Sequence, residues 1–359
     1  MIAKFIRPEL LKIKKYTPSP TLQEIERDIG IPMDKIIKCD SGENLYSEKY
    51  QNKKNLQKVK LYLYPDPFCR NLRKKLALYT GVGEEWIMYG NGSDELIDLL
   101  IRVFVSPKDV IIINPPTFPM YEFYGQLSGA KVQKVLRKEN LNINIEDIFE
   151  KITLNTKMIF IDSPGNPSSV VVTKENIKKL LAKKTIVVVD EAYYEYCNQT
   201  VIPLIYQYSN LIVLRSLSKW SGLAGLRIGY LVASPEIIKI LLTIKPPYNV
   251  NSLAQEMACS VLDKKERFLR EIKKVVDCRK ILLKQLSRFL NLKVYPSQGA
   301  YVIFQPQNQA KQLQEFLRKN GILVKYINQP LLENCLRINL LKQKEINKLD
   351  FFLRRFYEM

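Results

Sequence analysis

Histidine is missing from all 359 residues of the chain. That removes the commonest metal ligand and the commonest general base. A Ser-His-Asp hydrolase and most zinc enzymes are excluded with it, and no metal site is expected. Acid–base work must fall to lysine, carboxylates, tyrosine or a cofactor. Paired cysteines are missing too. Cys39, Cys69, Cys197, Cys259, Cys278 and Cys335 are scattered, with no Cys-x-x-Cys. Such spacing argues against a disulfide framework and fits a reducing cytoplasm. No run of roughly 18 apolar residues occurs, so no membrane helix is expected. The opening MIAKFIRPELLKIKKY mixes charge and apolar residues too evenly for a signal peptide and reads as mature sequence.

Acidic residues are in short supply. Asp and Glu number 36 against 56 Lys and Arg, for a formal net charge of +20. One reading is a non-catalytic nucleic-acid-binding protein. The other is a lysine-rich composition solvated on helix faces. The lysines are spread along the chain rather than gathered in a tail or stripe. No helix-turn-helix extension or aromatic–basic motif accompanies them. Neither a nucleic acid nor a membrane is therefore expected as a partner. A positive field would still draw in a phosphorylated small molecule.

What is present is an ordinary globular composition, 46 % hydrophobic. The length favours two domains. Residues 1–40 read as an N-terminal arm, with a Thr21–Glu24 capping box opening a short helix that Gly30 and Pro32 end. Between about 70 and 235, apolar runs alternate with amphipathic segments. The runs are WIMYG (86–90), VIIIN (110–114), KVQKVL (131–136), MIFID (158–162), TIVVVD (185–190), LIVLRS (211–216) and RIGYLVA (227–233). Several are continuously hydrophobic, as strands covered on both faces are. The pattern predicts an α/β domain over 41–247, built on a mostly parallel seven-stranded sheet covered by helices. A long helical stretch (251–289) and four strand runs, KVYP, AYVIFQ, ILVKY (322–326) and CLRINL, predict a smaller α+β domain over 248–359. The boundary falls near Pro246-Pro247.

In an open parallel sheet, ligands bind beyond the carboxyl ends of the strands. Those ends carry Asn91-Gly92-Ser93-Asp94, Pro115-Pro116-Thr117-Phe118, Ser163-Pro164-Gly165-Asn166-Pro167, Asp190-Glu191-Ala192-Tyr193 and Ser216-Leu217-Ser218-Lys219. Gly92-Ser93-Asp94 opens a helix, so its amides and dipole suit a phosphate. Asp190 ends an apolar strand, where a carboxylate needs a partner such as a protonated pyridine nitrogen; otherwise it caps the next turn. Asn166 and Tyr193 could bond a ring oxygen, and Phe118 could stack on a ring or simply fill the core. Lys219 follows a buried strand in Ser-Leu-Ser-Lys, where desolvation favours the free amine that attacks a carbonyl. Ser216 and Arg227 lie within reach of the same phosphate.

The set GNGSDE (90–95), DSPGNP (162–167), VVVDEAYYEY (187–196) and SLSKWSGLAGLRIGY (216–230) resembles the fold-type-I aminotransferases that use pyridoxal 5'-phosphate, and most of all the histidinol-phosphate aminotransferases. The similarity runs from Tyr16 to Arg337. It implies that Lys219 holds the cofactor covalently and that Asp190 pairs with the pyridine nitrogen. Asn166 and Tyr193 would bind the ring oxygen, with Phe118 on the ring face. Ser93, Asp94, Ser216, Ser218 and Arg227 would surround the phosphate, joined by Tyr64 from the second subunit of a homodimer. Arg337 and Tyr16 would bind the substrate, with Lys325 where the family has a second arginine. The implied reaction moves an amino group from L-histidinol phosphate to the 2-oxo acid 2-oxoglutarate, a step of histidine biosynthesis. Alternatives are an aminotransferase for another donor, such as an aromatic amino acid, and a threonine-phosphate decarboxylase. Besides Lys325, three places depart from the family. Gly165-Asn166-Pro167-Ser168-Ser169 replaces Asn-Asn-Pro-Thr-Gly, Phe118 replaces a tyrosine, and Ser41-Gly42-Glu43-Asn44-Leu45 replaces an Asn-Glu-Asn-Pro segment.

Overall fold

The computed structural model describes residues 5, 7, 10, 11, 13, 19–44, 46, 57 and 59–358. The Thr21 hydroxyl caps α1 (Leu22–Ile29) by accepting from the Glu24 amide, and the Glu24 carboxylate accepts from the Thr21 amide in return. Gly30 then stops the helix in the left-handed conformation. After α1, the chain makes a short strand, β1 (Ile37–Lys38), and helix α2 (Arg70–Thr80).

The central sheet follows. Its strands are β2 (Ile87–Asn91), β3 (Val110–Ile113), β4 (Lys131–Lys134), β5 (Thr156–Asp162), β6 (Ile186–Asp190), β7 (Leu211–Ser216) and β8 (Ile228–Val232). Each coincides with one of the apolar runs. They lie in the order β2-β8-β7-β6-β5-β3-β4. Every pairing is parallel except those of β8, which runs antiparallel to both β2 and β7. The reversal has a simple cause. The connection 217–227 carries no α-helix, and a parallel return needs a longer crossover. Helices α3 (Gly92–Phe104), α4 (Met120–Leu127), α5 (Ile145–Lys151), α6 (Lys174–Leu181) and α7 (Pro235–Ile244) complete this region. Successive side chains of one strand enter opposite cores. Ile159, Val187, Val189 and Val213 pack on one face, and Met158, Phe160, Val188 and Ile212 on the other. Double coverage is why these strands read as unbroken apolar runs.

The expected long helix over 251–289 is two helices, α8 (Ser252–Asp263) and α9 (Lys265–Leu286), broken at Lys264. Beyond them, β9 (Lys293–Val294) and β10 (Tyr301–Gln305) lead to helix α10 (Ala310–Lys319). The run ILVKY is not one strand. It divides at Val324 into β11 (Ile322–Leu323), paired in parallel with β1, and β12 (Lys325–Gln329). With β13 (Leu332–Asn339), an antiparallel sheet forms in the order β12-β13-β10-β9, and α11 (Gln343–Tyr357) follows. Ile25 and Ile36 form a small core with Leu323. Residues 22–38 of the expected arm therefore pack on the C-terminal strands. No helix among the described residues is long and apolar enough to cross a membrane.

Candidate functional site

The carboxyl ends of β5, β6 and β7 and the start of α3 converge on a cavity of about 550 Å³. Its walls include Ser93, Asp94, Phe118, Asn166, Asp190, Tyr193, Ser216, Ser218, Lys219 and Arg227. Residues spread over more than a third of the chain thus share one chamber, as sheet topology requires.

One end suits an anion. Gly92 enters α3 at φ +83°, and a Cβ there would lie 2.6 Å from Arg227 Nη2, so glycine is needed for the guanidinium to reach the helix terminus. Arg227 itself has φ +54°, a strained backbone for a non-glycine residue. Its Nη2 contacts Asp94 Oδ2 at 2.7 Å, and its Nη1 donates to Ser218 Oγ at 3.4 Å. Ser216 Oγ accepts from the Ser218 amide at 3.1 Å. First-turn amides have no intrahelical partner. Together with one arginine and two hydroxyls, they form a phosphate-sized cradle.

The other end suits a cationic ring. Asp190 is buried; its Oδ2 accepts from the Tyr121 hydroxyl at 2.7 Å and its Oδ1 from the Ala192 amide at 3.0 Å. Burial nonetheless pushes its pKa up to about 6, and the two hydrogen bonds offset only part of that. A positive ring nitrogen is the partner that would restore the carboxylate. Phe118 meets Tyr121 edge-on at 5.6 Å, and Tyr121 stacks on Phe160 at 4.7 Å. Lys219 Nζ lies 5.6 Å from the Tyr193 ring centroid. These residues fit a flat, phosphorylated pyridine aldehyde attached through Lys219.

A wider mouth, about 1580 Å³, opens beside this chamber and shares Asn166, Tyr193 and Lys219 with it. Lys325 and Arg337 both line it, directly opposite each other across β12 and β13. Arg337 is held by three segments. It donates to Asn166 Oδ1 and to the Asp40 carbonyl, each at 2.6 Å, and its guanidinium lies 4.1 Å from the Tyr301 ring centroid. Asn166 is fixed in turn, because its backbone N–H donates to Asp162 Oδ2 at 2.8 Å and Asp162 forms a buried ion pair with Arg137.

Two expected residues do not line the chamber, and of these Tyr64 is expected there only from a second subunit. Tyr64 is exposed and stacks on Tyr248 at 4.5 Å, outside the chamber. Tyr16 lies outside the described residues. Other groups were not anticipated. Tyr121 and Tyr301 have no motif of their own, although Tyr121 follows Phe118 by three residues in the same post-strand segment. Arg137 arrives from beyond the edge strand β4, and nothing in its local sequence marks it. One departure from the family has a local explanation. Ser169 keeps the left-handed backbone of a glycine at φ +58°, and its Oγ accepts from the Gly299 and Tyr301 amides at 3.1 and 3.3 Å. The hydroxyl thus ties the large sheet's loop to β10.

Residues 34–350 match the family described as aminotransferase class I and II. The histidinol-phosphate aminotransferase of Dehalococcoides mccartyi (strain BAV1) is 40% identical over 352 residues, covering 97% of this chain and 96% of that one. The chloroplastic histidinol-phosphate aminotransferase of Nicotiana tabacum is 36% identical over 98% of this chain and 87% of its own. Among solved structures, the Sinorhizobium meliloti histidinol-phosphate aminotransferase in complex with pyridoxal-5'-phosphate superposes with a TM-score of 0.84 over 98% of both chains, at 20% identity.

Proposed function

Because the chain belongs to the class I and II aminotransferases, we propose that it transfers the amino group of L-histidinol phosphate to 2-oxoglutarate on pyridoxal 5'-phosphate. The observation that carries this reading is the alignment of three charged subsites along one cleft: the helix-terminus cradle, the buried Asp190 with Lys219, and the Arg337–Lys325 pair. The first suits the cofactor's phosphate, the second its ring and aldehyde, and the third the substrate's phosphate or an acceptor's carboxylate. The names carried by the bacterial and plant relatives support the same donor.

When bound, pyridoxal phosphate supplies the electron sink that lets a bond at the substrate α-carbon break. The chain's own groups do the rest. Ser93 and Asp94 amides, Ser216, Ser218 and Arg227 hold the phosphate. Asp190 keeps the ring nitrogen protonated, Asn166 and Tyr193 orient the ring oxygen, and Phe118 covers one ring face. Lys219 would anchor the cofactor, and its amine would carry the proton to and from the substrate α-carbon. Arg337 and Lys325 hold the anionic end, and the family resemblance adds Tyr16 to the substrate's ligands. Lysine keeps the charge of a second arginine but not its fork, so orientation rests mainly on Arg337.

Tyr64 serves a second copy in this reading. Exposed Leu61, Tyr62, Leu63 and Tyr64 beside Tyr248 form the apolar face of a homodimer. The enzyme works in the cytoplasm, with the domain of 248–359 moving against that of 41–247.

The test is the visible spectrum of the cofactor-loaded protein during addition of L-histidinol phosphate. The lysine-bound band should give way to that of the aminated cofactor, and 2-oxoglutarate should restore it with release of glutamate. A band that ignores this donor but responds to aromatic amino acids would overturn the substrate. Carbon dioxide released from threonine phosphate would overturn the reaction type.

A further inference from the structure

Tyr193 is not the last member of its hydrogen-bond chain. Tyr301, at the start of β10, is buried, and its hydroxyl donates to Tyr193 Oη. The two rings meet edge to face with centroids 4.9 Å apart. The Arg337 guanidinium lies 4.1 Å from the Tyr301 ring centroid and packs on the face of that ring. Backbone geometry leaves room for the pair. Gly42 has φ +81°, and a Cβ there would lie 2.8 Å from Tyr301 Oη, 3.2 Å from Tyr193 Oη and 3.6 Å from Lys219 Nζ. Two hydroxyls and the lysine nitrogen therefore crowd around one side-chain-free position. Ser169 Oγ accepts from the Tyr301 amide at 3.3 Å, which locks the strand entry that aims the ring.

We propose that Tyr301 is a positioning residue for the cofactor's ring oxygen: by donating to Tyr193 Oη it commits the Tyr193 proton to that oxygen, and so adjusts the pH at which the lysine–cofactor linkage gains its proton. The inference rests on Tyr193 as the ring-oxygen ligand. A hydroxyl that accepts one hydrogen bond donates a stronger one. Stronger donation spreads the negative charge of the ring oxygen. That oxygen then holds the linkage proton less firmly, and the proton leaves at lower pH. An alternative is that Tyr301 merely satisfies a buried hydroxyl.

The experiment is a pH titration of the visible band of the cofactor-loaded protein, for the natural chain and for Tyr193→Phe, Tyr301→Phe and the double variant. Tyr301→Phe keeps the ring beneath Arg337 and removes only the hydroxyl. It should raise the transition by roughly half a pH unit, from the cooperative share of one bond. Tyr193→Phe should raise it further, and the double variant should match Tyr193→Phe alone. A Tyr301→Phe transition unchanged beside a shifted Tyr193→Phe would leave the Tyr193 assignment standing and sink the proposal. An unshifted Tyr193→Phe would remove the ring-oxygen assignment and the proposal with it. A Tyr301→Phe shift that persists without the Tyr193 hydroxyl would mean direct action, and would equally overturn it.

Discussion

Asp190 and Arg337 are both buried charges on strands, yet the molecule supports them in different ways. Asp190 takes its hydrogen bonds from Tyr121, packed just beyond β3, and from Ala192, two residues on. Both sit at the carboxyl edge of one sheet, and the support still leaves the carboxylate with its pKa pushed up to about 6. Arg337 is gripped by the Asp40 carbonyl, by Asn166 and by the Tyr301 ring, from segments remote from one another in the chain. The cofactor end is thus a product of local strand-end chemistry. The substrate end is a product of two sheets meeting. Local construction leaves a sign-specific need, a cation for Asp190. Distributed construction couples Arg337, the proposed anion-binding arginine, to Tyr193, the proposed ring-oxygen ligand, through Tyr301.

The largest expected effect breaks the cofactor end outright. Lys219→Ala should lower turnover by about 10⁴-fold or more, since the proposed mechanism makes one group both anchor and proton carrier. Glutamate formation at saturating donor is the measurement, and retained transamination would refute the role. At the substrate end, Arg337→Ala should raise KM for the phosphorylated donor by about 10- to 100-fold, from loss of a charged hydrogen-bonding group. A change in kcat with KM unmoved would place Arg337 in the chemistry rather than in binding.

A third variant sharpens the contrast through stability. Burial pushes the Asp190 carboxyl from its ordinary 3.8 up to about 6 in the folded protein. Between those values the native state binds more protons than the unfolded one, so its contribution turns unfavourable as pH rises through the window, then stays constant. Asp190→Asn should therefore raise the thermal midpoint of the cofactor-free protein by about 3 °C above pH 6. The gain should vanish near pH 4, while the cofactor is held more weakly at every pH. A midpoint equally altered at pH 4 would mean a packing effect instead. The smallest effect concerns the departure at Lys325. Lys325→Arg restores a fork opposite Arg337, and should lower KM for the phosphorylated donor by about 2- to 5-fold, with acceptor KM nearly unchanged. An unaltered KM would show that the charge alone is what the substrate uses.

The cofactor end was legible for a physical reason. Buried strands must be apolar on both faces, so their ends are sharp, and whatever polar residues follow are forced to one edge. Lys219, Asp190, Asn166 and Ser93 could be named from that logic together with the family resemblance. Tyr121 was missed because its side chain looks like any core tyrosine, and only the fold turns its hydroxyl to Asp190. The break in ILVKY was also invisible. Its hydrophobic character is continuous, and only the position of β1 draws Ile322 and Leu323 into a different sheet from Lys325.

By itself the sequence determined the layered α/β architecture, the seven strands, the exclusion of histidine chemistry and the identity of the strand-end residues, because each is written in local periodicity and residue type. Only the tertiary structure decided that Lys325 stands opposite Arg337, that Arg137 secures Asp162, and that Tyr301 reaches Tyr193 over the bare Cα of Gly42. The first is the register of the β12–β13 pair, the second joins two strand ends of one sheet, and the third follows from how two sheets pack; no local pattern encodes any of them.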